Sequence, residues 1–145
     1  MTNKVIGYTA GTFDMFHIGH LNLLKEAKKK CDILIVGVNS DKLVKQYKNK
    51  QPIINENCRS EIVKAIKYVD QVAIMSSLDK VKAFETFQFN KIFIGSDWVG
   101  HPRWKKTEED LKPLGASVVY IDYTEGVSST KIVSDIICKE KRIEI

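Results

Sequence analysis

Six consecutive residues, Ile33-Leu34-Ile35-Val36-Gly37-Val38, are apolar or glycine, and they narrow the choice of fold sharply. A strand with no polar position has to be covered on both faces, which is the condition of an interior strand in a parallel sheet. Weaker strand patterns recur at Lys4–Tyr8, Gln71–Ile74, Lys91–Ile94 and Val118–Ile121. The segments between them carry helical spacing: from about Leu21 to near Cys31, Asp41 to Gln46, Cys58 to Lys67, Leu78 to Phe87, Trp104 to Leu114 with Gly115 as its stop, and Ser128 to Cys138. Strand and helix alternate throughout. The fold expected is α/β, a single-domain Rossmann-like open parallel five-stranded sheet with helices on both faces. Residues 1–138 form that domain and 139–145 a basic C-terminal tail. Tyr47 to Asn57 is polar and without period, and it is expected to be a mobile loop.

The formal net charge of +5 and pI near 9.0 suit an anionic partner, whether nucleotide, phosphorylated metabolite or nucleic acid. Three cysteines without a C-x-x-C pair make no disulfide framework, which points to a reducing cytoplasm. Asp14, His17 and His20 interrupt any secretory apolar segment, and the Ile33–Val38 run is too short to cross a bilayer. A soluble cytoplasmic protein without membrane insertion is therefore expected. A non-catalytic nucleotide- or RNA-binding module is one alternative, although the aromatics are not interleaved with the basic residues in a stacking pattern.

In open parallel sheets ligands bind beyond the carboxyl ends of the strands, where strand order reverses. Three loops fall there: Gly11–His20 after the first strand, Gly95–Trp98 after the fourth, and Thr124–Thr130 after the fifth. The first joins a strand to a helix start, whose free N–H groups and dipole favour phosphate. It also carries His17 and His20, which one helical turn would place on a common face as donors to phosphate oxygens. Zinc would need two further ligands at short spacing, and Cys31 and Cys58 stand alone. Ser128, Ser129 and Thr130 offer hydroxyls at the last helix start, where any one of them would also serve as a plain N-cap. Neither G-x-G-x-x-G nor G-x-x-x-x-G-K-[ST] is present.

The segment Gly11-Thr12-Phe13-Asp14-Met15-Phe16-His17-Ile18-Gly19-His20 meets every fixed position of Gly-Thr-Phe-Asp-x-x-His-x-Gly-His. Tyr123-Thr124-Glu125-Gly126-Val127-Ser128-Ser129-Thr130 follows Arg-Thr-Glu-Gly-Ile-Ser-Thr-Thr except at Tyr123, Val127 and Ser129. With these two signatures the chain resembles the cytidylyltransferases, most closely the small bacterial glycerol-3-phosphate cytidylyltransferases. The likeness extends to Arg59, Ile66–Asp70 and Gly95–Trp98 and so covers nearly the whole chain. It implies transfer of CMP from CTP to a small phosphorylated alcohol, glycerol 3-phosphate first, giving a CDP-alcohol and pyrophosphate. It implies catalytic roles for His17, His20, Lys48, Lys50, Arg59 and Ser129. Nucleotide contacts are implied for Thr9, Ala10, Gly11, Thr12, Phe13, Asp14, Gly19, Gly95, Asp97, Trp98, Thr124, Glu125, Gly126, Ser128 and Thr130. Lys50, Lys67 and Tyr123 would meet the acceptor. Mg²⁺ would arrive on the triphosphate without a direct protein ligand, and the assembly would be a homodimer that binds no nucleic acid. Tyr123 replaces the arginine of the second signature, so an adenylyltransferase of the same fold, using ATP and a sugar or other phosphate, is the nearest enzyme alternative.

Overall fold

The computed structural model describes residues 3–122, 124 and 126–143. The run at Ile33–Val38 sits inside a sheet of five parallel strands, β1 (Ile6–Gly11), β2 (Ile33–Asn39), β3 (Gln71–Met75), β4 (Lys91–Gly95) and β5 (Ser117–Ile121), in the order β3-β2-β1-β4-β5. Leu34, Val36 and Val38 of β2 enter one core with Phe13, Leu24, Val63 and Phe93, while Ile35 enters another with Tyr8, Phe89, Ile92 and Trp104. This is the two-sided burial that a continuously apolar strand demands. The first core lies under α1 (Ile18–Lys29) and α3 (Glu56–Lys64), the second under α4 (Lys80–Phe87) and α5 (Pro102–Leu111). Two further helices, α2 (Asp41–Lys48) and α6 (Ser129–Ile143), follow β2 and β5.

Most boundaries differ from the sequence reading because side chains cap the helices. Asn55, not Asn57, caps α3 by accepting the Cys58 N–H at 2.9 Å. Asp79 caps α4, and His101 caps α5 just ahead of Pro102. The tail expected from Lys139 is helical through Ile143, continuous with α6. The strand β1 runs three residues past Tyr8, so Thr9, Ala10 and Gly11 are strand residues paired with Val36, Gly37 and Val38.

That extension shapes the ligand end of the sheet. β1 pairs with β2 over six residues but with β4 only at Gly7–Lys91 and Tyr8–Ile92. Beyond Tyr8 the hydroxyl of Thr9 takes over, donating to the Phe93 carbonyl at 3.0 Å, and Thr9 is fully buried. Thr9 therefore joins two strands where a nucleotide contact was expected. Strand order reverses between β1 and β4, and their carboxyl ends open a crevice there. Lys67 precedes β3 and so lies at the amino end of the sheet, away from that crevice, with its ammonium over the Tyr68 ring; this corrects its expected acceptor role.

Arg59 requires the largest correction. Expected to close on phosphate, it is 1% exposed and inside the fold. Its Nη1 donates to the carbonyls of Thr12 and Asn39 at 2.6 and 2.8 Å, its Nε to Ile54 at 2.8 Å, and its Nη2 to the Asp41 carboxylate at 2.6 Å. Four segments thus share one guanidinium. Lysine lacks the planar fork that meets four acceptors at once, so Arg59→Lys is expected to destabilise the protein by about 3–5 kcal/mol, the range for breaking a buried ion pair. Urea unfolding with an unchanged slope should report it, and a loss below about 1 kcal/mol would show the clamp to be dispensable.

Candidate active site

The turn after β1 holds two residues, Phe13 and Met15, in the left-handed region at φ 54° and 50°. Such conformations are held at a cost of about 1–3 kcal/mol each and persist only where the surroundings over-determine them. Here Arg59 grips the Thr12 carbonyl. Both carboxylate oxygens of Asp14 accept backbone N–H groups of the lysine-bearing loop, Ile53 at 2.8 Å and Ile54 at 2.9 Å. The Ser129 hydroxyl donates to the Asp14 carbonyl, tying the start of α6 to the turn. Asp14 and Ser129 thus use these groups to build the site. The stretch expected to be a mobile loop begins only after α2 ends at Lys48, and Asp14 tethers it.

His17 is the N-cap of α1 and His20 its third residue, and each ring closes a bond of the cap. The Gly19 N–H donates to His17 Nδ1 at 3.1 Å and the His17 N–H to His20 Nδ1 at 3.2 Å. This is a capping box in which imidazoles replace the usual hydroxyl and carboxylate. Because both Nδ1 atoms accept, both neutral rings carry their hydrogen on Nε2. The rings stack with centroids 3.8 Å apart, and His20 also packs edge-on against Phe13 and at a tilt against Phe16. Gly19 permits this, since a Cβ there would stand 2.9 Å from His17 Cε1. Burial lowers the pKa of His17. Burial, then His17 and Lys48, lower that of His20 to about 4 against a smaller opposing pull from Asp14. Near neutral pH both rings are uncharged donors.

The crevice above these rings has a volume of about 890 Å³. It gathers Ala10, Gly11, Thr12, Phe13, Asp14, His17, Gly19 and His20 with Lys48 and Lys50, and on the far side Gly95, Asp97, Trp98, Thr124, Ser128, Ser129 and Thr130. Ser128 is the N-cap of α6, its Oγ accepting the Lys131 N–H at 3.0 Å, and Thr124 Oγ1 accepts from Asn22. Thr9, Arg59, Lys67 and Gly126 are not in the lining; Gly126 turns the chain at φ 78°. Tyr123 and Glu125 lie outside the described residues.

Several lining residues were missed in the sequence. The Tyr47 hydroxyl meets Thr12 Oγ1 at 3.0 Å and Asn39 Nδ2 at 3.1 Å. Lys80 also faces the crevice, with its ammonium 6.0 Å from the centroid of the Trp104 ring. Burial lowers the Lys80 pKa to about 8, with Arg103 adding to the shift and Asp79 opposing it. Asn39 Oδ1 and Trp104 Nε1 are buried and have no hydrogen-bond partner among the described residues. Nothing in the spacing of a lone lysine or tryptophan distinguishes such positions from core or surface.

Residues 8–135 match the family described as cytidylyltransferase-like. The chain belongs to that family. Among its relatives are the bifunctional proteins HldE of Nitrobacter winogradskyi, 37% identical over 88% of this chain and 26% of the relative, and of Geobacter metallireducens, 31% identical over 92% and 27%. The chain thus spans about a quarter of the length of these curated relatives. A lipopolysaccharide core biosynthesis protein from Thermoplasma volcanium superposes with a TM-score of 0.70 at 27% identity, covering 84% of this chain and 98% of that one. A pantothenate synthetase from Thermus thermophilus shares the fold at a TM-score of 0.62 and 14% identity, over 88% and 61%. For the cytidylyltransferase-like family the paired histidines, the hydroxyl-bearing start of α6 and the lysine loop fall in one crevice here. No helix of the described residues is long and apolar enough to cross a membrane.

The lowered pKa of His20 has a consequence for stability. Its folded value, about 4, lies below its ordinary value of 6.5. Between the two, the unfolded chain binds more protons than the folded one, so stability is full above about pH 6.5 and falls as pH drops toward 4. A shift of this size corresponds to about 3 kcal/mol at the acid end. His20→Gln, which keeps an acceptor for the cap without titrating, is expected to flatten that limb in urea unfolding followed against pH. An unchanged acid limb would show that other groups cause it.

Proposed function

We propose that the chain is a nucleotidyltransferase that joins the nucleotidyl group of a nucleoside triphosphate, ATP in preference to CTP, to a sugar phosphate, giving a nucleotide-activated sugar and pyrophosphate. The observation that carries the reaction class is the pair of neutral Nε2–H donors held by the histidine cap at a crevice that α6 enters with Ser128 and Thr130. In the reaction an oxygen of the acceptor phosphomonoester attacks the α-phosphorus, and the bond to the bridging oxygen of the β-phosphate breaks. That oxygen leaves with the electron pair as pyrophosphate. The nucleophile is already ionised, so no base has to take a proton, and catalysis consists of positioning and of donors aimed at developing charge. The chemistry therefore calls for donors of the kind the neutral histidines supply. Lys48 and Lys50 add positive charge from the loop. Mg²⁺ enters as part of the triphosphate substrate; among the described residues no group of three His, Cys, Asp or Glu side chains stands ready to bind a resident metal.

The preference for ATP and a sugar phosphate over CTP and glycerol 3-phosphate rests on residue 123 and on the relatives. The chain has Tyr123 where the second signature of the cytidylyltransferases has arginine, so the likeness to the enzymes that use CTP fails at that position. The neighbour named for lipopolysaccharide core biosynthesis belongs to sugar chemistry. A homodimer is part of the same proposal.

Pyrophosphate release, measured with each of the four triphosphates against a panel of sugar phosphates and polyol phosphates, should be fastest with ATP and a sugar phosphate. Preference for CTP with glycerol 3-phosphate would overturn the substrate assignment. His17→Ala and His20→Ala should each lower kcat on the order of a hundredfold with little change in nucleotide KM; near-native turnover in both would make the rings structural only.

Tyr123→Arg is expected to move the ratio of kcat/KM for ATP and CTP toward CTP by roughly tenfold, the worth of a charge-assisted hydrogen bond. A ratio left unmoved would remove residue 123 from the argument.

A further inference from the structure

Of the two walls of the crevice, one carries His17 and His20 at the start of α1 and the other Lys80 and Trp104 at the starts of α4 and α5. Positive charge reaches the histidine wall from Lys48, which opposes protonation of His20 together with His17 and against Asp14. The backbone alone does not aim that charge. Lys48 is the last residue of α2, the chain turns away at Asn49 with φ 54°, and no carboxylate among the described residues comes within ion-pair distance of the ammonium. A lysine stem keeps its rotational freedom unless something restrains it. The restraint here is the preceding side chain. Lys48 Nζ lies 5.6 Å from the centroid of the Tyr47 ring, inside the reach of about 6 Å over which a ring face attracts an ammonium. Tyr47 is held from the sheet in its turn. Asn39 Nδ2 donates to its oxygen at 3.1 Å, and its hydroxyl shares a hydrogen bond of 3.0 Å with Thr12 Oγ1. Asn39 ends β2 and Thr12 follows β1, so one phenol hydroxyl is fixed to the tips of two adjacent strands. The residue is 37% exposed and could have left that hydroxyl in water, whereas the buried side chains of α2, Leu43 and Val44, lie one turn further back.

We infer that Tyr47 is a positioning residue: its hydroxyl, anchored on Asn39 and Thr12, fixes the ring, and the ring seats the Lys48 ammonium toward the donors of His17 and His20. The inference rests on the nucleotidyl-transfer reading above for what Lys48 does, and adds to it the side chain through which Lys48 is aimed. An ammonium is a point charge that attracts an anion from any side. The neutral histidines donate only along their N–H directions. The two kinds of group act on the same phosphate oxygens only where the charge is kept beside the donors. Tyr47 supplies that constraint without itself carrying charge, and it transmits the placement of the β1 and β2 ends to the lysine.

The test is a double-mutant cycle between Tyr47→Leu and Lys48→Met, read in two ways. In the free protein carrying ¹³C-labelled histidine, the ring signal of His20 is assigned by its loss in His20→Gln and followed against pH. The charged and titrating groups that act on it are His17, Asp14 and Lys48. Taking away the ammonium should raise the His20 midpoint, so Lys48→Met is expected to raise it, Tyr47→Leu to raise it by roughly half as much or more, and the double variant to raise it no further than Lys48→Met alone. In turnover, Lys48→Met should lower kcat roughly tenfold, Tyr47→Leu about fivefold, and Tyr47→Phe, which keeps the ring and loses its anchor, about twofold. In the Lys48→Met background Tyr47→Leu should cost nothing more. If acid unfolds a variant before its midpoint, the kinetic cycle carries the test, and if Tyr47→Leu does not fold, Tyr47→Phe replaces it in both. A Tyr47→Leu loss in kcat that is the same with and without Lys48 would make Tyr47 a plain tether of α2 and overturn the proposal. So would a His20 midpoint that Lys48→Met raises and Tyr47→Leu leaves in place, or wild-type kcat in Lys48→Met; in each case pyrophosphate release by the wild type would leave the nucleotidyl-transfer reading standing. Absence of pyrophosphate release with every triphosphate, alongside coupled His20 midpoints, would sink that reading and keep Tyr47 as the residue that aims Lys48.

Discussion

A charged side chain taken out of water has to find, inside the protein, the hydrogen bonds it gave up, and Arg59 finds them on four different segments. Its partners are the end of the turn after β1, the end of β2, the start of α2 and the loop before α3. These segments are spread along the chain between Thr12 and Ile54, and the guanidinium is one point at which all four meet. It holds them because its donors lie in one plane at fixed angles, and a displaced acceptor would leave a buried donor unpaired. The ligand end of the sheet is thus ordered by one polar contact set above two apolar cores. The strained Phe13 and Met15 follow from it: the turn cannot relax while Thr12 is gripped on one side and Asp14 is held by Ile53, Ile54 and Ser129 on the other.

The histidines depend on that turn. A serine and a glutamate would cap α1 as well, but both polar groups would then be spent on the helix. Imidazole has two nitrogens, so one closes the cap while the other stays available to a ligand. Their depressed pKa values complete the arrangement, since a protonated Nδ1 would lose its acceptor function and break the cap. Directional, uncharged donation is therefore assigned to α1, and positive charge is left to Lys48, Lys50 and Lys80 around it.

Much of this was legible in the sequence because it depends on local rules. Two-sided burial of Ile33–Val38 required a parallel sheet, and alternation with helices gave its class. His-x-Gly-His at a strand-to-helix junction pointed to the end of the sheet where the crevice opens. What was not legible depends on distance in space. Arg59 was read as a phosphate ligand because a cation near a helix start looks the same in sequence whether it faces solvent or is enclosed by carbonyls. Thr9 looked like part of a binding turn, since nothing local shows that β1 continues to Gly11 while its pairing with β4 stops at Tyr8. Lys67 sits near a likeness to the family and yet at the wrong end of β3. Lys80 and Trp104 meet only because α4 and α5 pack side by side, and no spacing along the chain encodes that.

The early end of β1–β4 pairing ties the fold to the reaction. If those strands stayed paired to their tips, the sheet edge would be closed between the two faces, and the histidine wall and the Lys80–Trp104 wall would serve separate sites. Because they separate after Tyr8, with the Thr9 hydroxyl satisfying the Phe93 carbonyl at the point of parting, the crevice passes over the edge and joins the faces. Residues of α1 and α6 and the first residues of α4 and α5 therefore line one crevice rather than two.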